Sequence, residues 1–214
     1  MAEPLEVVNL FLNGAKVVIA AIADHEVLAA WDHPSVLEHQ QVSGLAGHLA
    51  RGGVWVVADY LDAETPNRPV DFDSASEYFA HFASNASEDT HQSIRDRGAE
   101  VASVGPDELL RILGERLNAL EPRLHTLDPS CPITVIGGKI MRLHDYLTTR
   151  IVEQCVHLDD LARSVGRDLW PISAEAKALT IHVGIGIARL RNGDNALVRA
   201  LYRHGFVEQV LPVL

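Results

Sequence analysis

The sequence predicts an all-α protein, a four-helix bundle with additional C-terminal helices. Apolar residues recur at steps of three and four in four long stretches. One long polar crossover joins the second stretch to the third, the connectivity of a bundle with a crossover. The chain is 47% apolar but only 6% aromatic, an Ala- and Leu-rich balance that suits helices.

The first helix is expected over residues 4–30, where Leu5, Val8, Phe11, Leu12, Ala15, Val18, Ile19 and Ile22 fall on one side. Asp32-His-Pro-Ser-Val-Leu reverses the chain at Pro34, and Ser43 offers a cap for the second helix. That helix runs over 44–63, with Leu45, Leu49, Val56, Tyr60 and Leu61 as its contacts, and stops before Thr65-Pro-Asn-Arg-Pro69. Residues 70–104 read as a mobile or partly helical crossover with one helix around 75–97.

Gly105-Pro106-Asp107-Glu108 marks a helix start, with Pro at the first helical position and acids in the first turn. Leu109, Leu110, Leu113, Leu117 and Leu120 follow, and Pro122 should kink or stop the helix, since an interior Pro costs about 3 kcal/mol. After the loop Asp128–Pro132 and a short extended piece at 133–136, Gly137-Gly138 opens the fourth helix, over 139–165. A C-terminal helix over 174–190 ends at Asn192-Gly193, and a short one ends near Gly205. The domain reading is a bundle over 1–168 and a helical extension over 169–214 packed on it.

A chain of 214 residues is long enough for one sizeable core. The net charge is −11, and the three Lys and the Arg residues are scattered without a basic stripe. That argues against binding to nucleic acid or to an anionic membrane. The start Met1-Ala-Glu-Pro-Leu-Glu is acidic where a signal peptide would be basic, and no apolar run approaches the roughly 18 residues of a membrane span, so a cytoplasmic protein is expected. The two cysteines, Cys131 and Cys155, read as reduced thiols rather than a disulfide framework.

Chemistry concentrates in two segments. In Arg150-Ile-Val-Glu-Gln-Cys-Val-His-Leu-Asp-Asp160, Glu153 and His157 stand four apart, so a helix points a carboxylate and an imidazole from one face. His48, in Gly44-Leu-Ala-Gly-His-Leu-Ala-Arg51, lies on another helix that could bring it to the same point. His48, Glu153 and His157 would then form a His2Glu site, and three protein ligands leave a position open, as in catalytic zinc. Two His and one carboxylate also match the facial triad of non-haem iron, so Fe(II) fits the ligands as well.

Tyr146, Arg150, Glu153, His157 and Asp160 make one polar stripe; a wet, salt-bridged face would show the same spacing. Gly44, Gly47, Gly52 and Gly53 are costly in a helix, so something must approach closely beside His48. Cys155, about 200° from both neighbours, should face away. His25 and His33 with Asp24 and Asp32 could form another site near the end of the first helix, but the turn composition explains them equally well. Gly137-Gly-Lys139 lacks the P-loop spacing, and Gly184-Ile-Gly186 lacks both the third glycine and a preceding strand of a dinucleotide fingerprint.

Val42-Ser-Gly-Leu-Ala-Gly-His-Leu-Ala-Arg51 and Thr149-Arg-Ile-Val-Glu-Gln-Cys-Val-His-Leu-Asp-Asp-Leu-Ala162 resemble the DinB-like helical bundles. In particular they are similar to the N-terminal domain of mycothiol-dependent maleylpyruvate isomerases, over roughly residues 5–165. The shared pattern is a Gly/Ala-His-Leu-Ala helix followed by Arg-x-x-Glu-x-x-x-His-x-x-Asp-Leu. The resemblance implies that His48, Glu153 and His157 hold one divalent metal, usually zinc, which activates a low-molecular-weight thiol. Mycothiol, an actinobacterial thiol, would be the cosubstrate. Arg150 would orient Glu153 or an anionic substrate, and Asp160 would support a ligand from behind.

The isomerases carry an α/β C-terminal domain, whereas residues 169–214 here read as helices. The expected activity is therefore a zinc-dependent thiol S-transferase or isomerase acting on a small molecule, as a monomer or homodimer. The alternatives are hydrolysis by a metal-activated water and a non-catalytic metal-binding or dimerisation module.

Overall fold

A computed structural model describes residues 3–85 and 87–213. Met1, Ala2 and Leu214 lie outside them, as does Ala86 inside the helix expected over 75–97. The fold is all-α with one small hairpin.

Helix α1 (Pro4–Ile22) opens with a Glu3/Glu6 capping box and Pro at its start, and buries Val8, Phe11, Ala15, Val18 and Ile22. By length and composition this helix could cross a membrane, a correction to the reading that no run comes near that length. Slightly more than half of its apolar window, 56%, is buried against the rest of the chain, so it is a core helix. It also ends earlier than expected. Asp24 accepts the Glu26 N–H at 3.2 Å and starts a separate helix, α2 (His25–Ala29). The Arg167 side chain and the Trp170 indole N–H both donate to that carboxylate, so a tertiary clamp overrides the continuing apolar period. Asp24 is thereby engaged in fold-building; Asp24, His25 and Glu26 bring their donor atoms within 4.8 Å of one another, and Asp32 and His33 are not among them.

Helix α3 (Val42–Ala50) begins at Gln41, not through a Ser43 side-chain cap. The N–H groups of Val42 and Ser43 donate to the His33 and Trp31 carbonyls at 3.0 and 2.9 Å, so no side-chain cap is required. A π turn (Arg51–Trp55) then leads into α4 (Val56–Leu61), interrupting the single helix expected over 44–63.

The crossover is partly helical, with two helices where one was expected over 75–97, α5 (Ala75–Asn85) and α6 (Glu88–Ala102). Helix α7 (Pro106–Thr126) runs through Pro122, which neither stops nor ends it. Pro122 removes a single N–H near the helix end, and Leu117, Leu120 and Leu124 hold the rod by burial on both sides of it.

Strands β1 (Pro132–Val135) and β2 (Lys139–Arg142) pair antiparallel, Val135 opposite Lys139. Gly137 and Gly138, with φ of 69° and 68°, turn the chain between them. The fourth long helix, α8 (Leu143–Val165), therefore starts four residues later than expected. Helices α9 (Ala174–Asn192) and α10 (Asp194–Tyr202) complete the chain, α9 packing on α5 and α8.

The rods α1, α3–α4, α7 and α8 share one core, centred on Phe11, Leu45, Leu49, Leu113, Leu124 and Leu147. Helix α6 lies against α3 at the glycines flanking His48. A Cβ on Gly47 would run into the Gly98 carbonyl, and one on Gly98 would sit 2.6 Å from the Gly44 carbonyl. These glycines exist for helix contact. Gly98→Ala should overpack the crossing and cost about 1–3 kcal/mol, read as a lower urea midpoint. Gly114→Ala, in the middle of α7 with open space around it, should stabilise by up to about 1 kcal/mol. A Gly98→Ala protein as stable as the parent would refute the tight crossing.

Candidate metal centre

Helix α3 carries His48, and α8, packed beside it, carries Glu153 and His157 one turn apart. Their ligating atoms all lie within 4.8 Å of one another. His48 Nε2 is 3.0 Å from Glu153 Oε2, and His157 Nε2 is 3.5 Å from the same oxygen. The two imidazoles meet edge to face, 4.7 Å between centroids at 87°. Each of the three side chains is about a fifth exposed.

Behind His157, Asp160 Oδ2 stands 3.0 Å from Nδ1 and accepts its proton, which turns Nε2 toward Glu153. Arg150 is nearly buried, donates from Nη1 to the Gly52 carbonyl at 2.8 Å and from Nε to Thr149 Oγ1 at 2.9 Å, and stacks 4.8 Å over the Tyr146 ring. The stripe Tyr146, Arg150, Glu153, His157 and Asp160 thus faces inward. It is not a solvated surface.

Burial alone would raise the Glu153 carboxyl, yet hydrogen bonds from His157 and His48 and the Arg150 charge hold it well below the usual range. Burial depresses the His48 imidazole, and its bond to Glu153 offsets this only in part. Burial acts in the same direction on His157, but hydrogen bonds to Asp160 and Glu153 outweigh it and push its pKa up to about 9. At neutral pH, without metal, an imidazolium sits between two carboxylates beside a neutral His48. That positive charge is the one a divalent cation would replace.

A cleft of about 130 Å³ reaches His48 and Glu153. Its walls include Arg51, Arg97, Arg150, Tyr60, Tyr78 and Tyr146. Burial raises the Tyr78 and Tyr146 phenols, so both stay protonated as donors. A larger groove, about 450 Å³, runs along another face of α6 past Gln40, Ser43, Arg95 and Asp96, and none of the three donors lines it. Of these two, the smaller cleft is the one that reaches the candidate metal donors.

Sequence reasoning missed Arg51, Arg97, Tyr60 and Tyr78 as cleft residues. Ile94, Gly98, Val101 and Ala102, at helical spacing in a mostly polar stretch, are the signal that α6 packs against another helix. Cys155 faces elsewhere, as expected: it lines a separate cavity with Leu10, Gly14 and Ala176, and burial raises its thiol. Burial also raises Cys131. Both cysteines are free.

Two imidazoles and a carboxylate fit zinc or iron(II), and a three-donor set of which His48 and Glu153 line an open cleft fits a metal with a free position. The family model described as mycothiol maleylpyruvate isomerase N-terminal domain matches residues 17–162, which include all three donors. Neither the curated proteins nor the solved structures contain a match.

Proposed function

The chain belongs to the mycothiol maleylpyruvate isomerase N-terminal domain family, and from that membership and the three-donor cleft we propose that it is a mononuclear metal enzyme, a thiol-dependent S-transferase or isomerase. In this reading His48, Glu153 and His157 hold one divalent metal, zinc. The cosubstrate is a low-molecular-weight thiol such as mycothiol, and the second substrate is a small molecule. The protein works in the cytoplasm, as a monomer or homodimer.

The observation that supports this most directly is the cleft that ends on His48 and Glu153, because a purely structural site would be closed by a fourth ligand. When bound, zinc supplies an open position at which a thiol is held as thiolate, the nucleophilic form, at neutral pH.

The chain's own residues do the rest. Asp160 holds the His157 proton on Nδ1 and so keeps Nε2 directed at the metal position. Arg150, buried and tied to Gly52, keeps Glu153 ionised. Three guanidiniums and three phenols face a single carboxylate in the cleft, a wall of donors that favours a substrate carrying negative charge.

Metal content tests the reading. Elemental mass spectrometry should find about one zinc per chain in protein purified without chelator, and almost none in the Glu153→Ala/His157→Ala double variant. Metal-free wild type would sink the enzyme reading in favour of a non-catalytic module.

A further inference from the structure

The π turn Arg51–Trp55 follows His48 by one helical turn, and the Val56 N–H reaches back five residues to the Arg51 carbonyl. Such a turn holds one residue more than an α turn. The extra residue changes what faces the cleft. At about 100° per residue, an unbroken helix would place Val56 about 80° and Tyr60 about 120° around from His48. With one residue absorbed, both come to within about 20° of it. His48, Val56 and Tyr60 do line the same cleft. There Tyr60 meets the Tyr146 ring edge-on at 5.3 Å.

A π turn is strained relative to an α turn and persists where neighbours hold it. Two side chains of α8 meet it. Arg150 Nη1 donates to the Gly52 carbonyl and Gln154 Nε2 to the Gly53 carbonyl, each at 2.8 Å. Gln154 also donates to the Phe11 carbonyl of α1 at 3.3 Å, and it is only 1% exposed. A Cβ on Gly14 would collide with its amide oxygen, so α1 leaves room for this one side chain. A buried amide that reaches two carbonyls on two other helices is costly unless both bonds form.

Gly52 closes the link to the site. A Cβ there would lie 3.4 Å from His48 Cε1, so the backbone of the π turn backs the imidazole directly.

We infer that Gln154 is a positioning residue of the metal centre: by clamping the π turn to α1 and α8, it keeps His48 and Tyr60 on one face of the α3–α4 rod. Arg150 serves both the clamp and the charge balance of Glu153, whereas Gln154 faces the backbone alone. The inference rests on the proposed metal-binding role of His48, Glu153 and His157.

Gln154→Met keeps length and removes the donor; Gln154→Glu keeps shape and replaces the donor with an acceptor. Zinc affinity is measured by competition with a chromogenic chelator, alongside the visible spectrum of the Co(II)-loaded protein and the melting temperature without metal. Loss of an outer-shell support weakens metal binding about 10- to 100-fold, and the Co(II) spectrum should move as the His48 ring shifts. A folded variant, either one, that keeps wild-type affinity and an unchanged Co(II) spectrum overturns the inference, even if its melting temperature falls, because packing alone would produce that pattern. Wild-type protein that takes up no metal is a different failure, and it removes the proposed function itself.

Discussion

Arg150→Ala is expected to destabilise the metal-free protein by about 3–5 kcal/mol, the range for removing one partner of a buried charge network. The guanidinium is 7% exposed and does three things at once. It satisfies the Gly52 carbonyl of the π turn, caps Thr149 Oγ1, and stacks on the Tyr146 face. It is also a cation that holds the buried Glu153 carboxyl low. Truncation orphans a half-buried carbonyl, opens a cavity against Tyr146 and leaves Glu153 with less compensation. Arg150→Lys should restore little, because one ammonium cannot reach Gly52 and Thr149 while stacking on the ring. Urea unfolding of the two variants checks this. A loss below about 1 kcal/mol would put Arg150 among solvent-screened surface cations and contradict its placement inside the bundle.

The second large effect is pH-dependent. The His157 pKa rises from the ordinary value near 6.5 to about 9 on folding. The folded state therefore binds the proton more tightly, and the stability this contributes is complete below about pH 6.5 and lost as pH rises through about 9. A shift of that size corresponds to about 3 kcal/mol. Glu153 and His48 act in the other direction. Both are depressed on folding, so their contributions are present above their unfolded values and are lost as pH falls. Metal-free protein should be most stable near about pH 6.5.

At the proposed metal site a zinc ion would have to displace the His157 proton, so its affinity should climb about tenfold per pH unit from neutrality toward pH 9. About one proton should be released per zinc at pH 7. Calorimetry in buffers of different ionisation enthalpy counts that proton. Uptake with no proton release would mean that His157 is neutral in the metal-free protein and that Asp160 does not charge it.

The Glu153-x-x-x-His157 pair was readable because helical spacing alone puts both side chains on one face of α8. His48 was readable through its motif, and the need for a close neighbour through the glycines around it. What approaches was not readable. Helix α6 buries only Gly98 and Ala102 and, apart from Ile94, Ala99 and Val101, is polar, so its sparse apolar period does not say which helix it meets, yet it walls the cleft. The π turn was equally hidden, since one inserted residue leaves no mark on an apolar pattern interrupted by two glycines. Ser43, Pro122 and the 23–24 break were misread for one shared reason: local preferences of about 1–3 kcal/mol were outweighed by backbone partners or burial contributed by distant residues.

Local chemistry on this chain settles that the fold is helical, which side of the long helices is apolar, and that Glu153 and His157 share one face of α8, since these depend on spacing within one helix or on residue type. The tertiary structure decides the rest: that the polar stripe of α8 faces inward, that His48 of α3 meets Glu153, that Arg150 and Gln154 hold the turn behind His48, and that a donor-lined cleft opens on the site. Those features arise between helices far apart in sequence, where burial strengthens each charge and each hydrogen bond, and no spacing within one helix encodes which partner will be there.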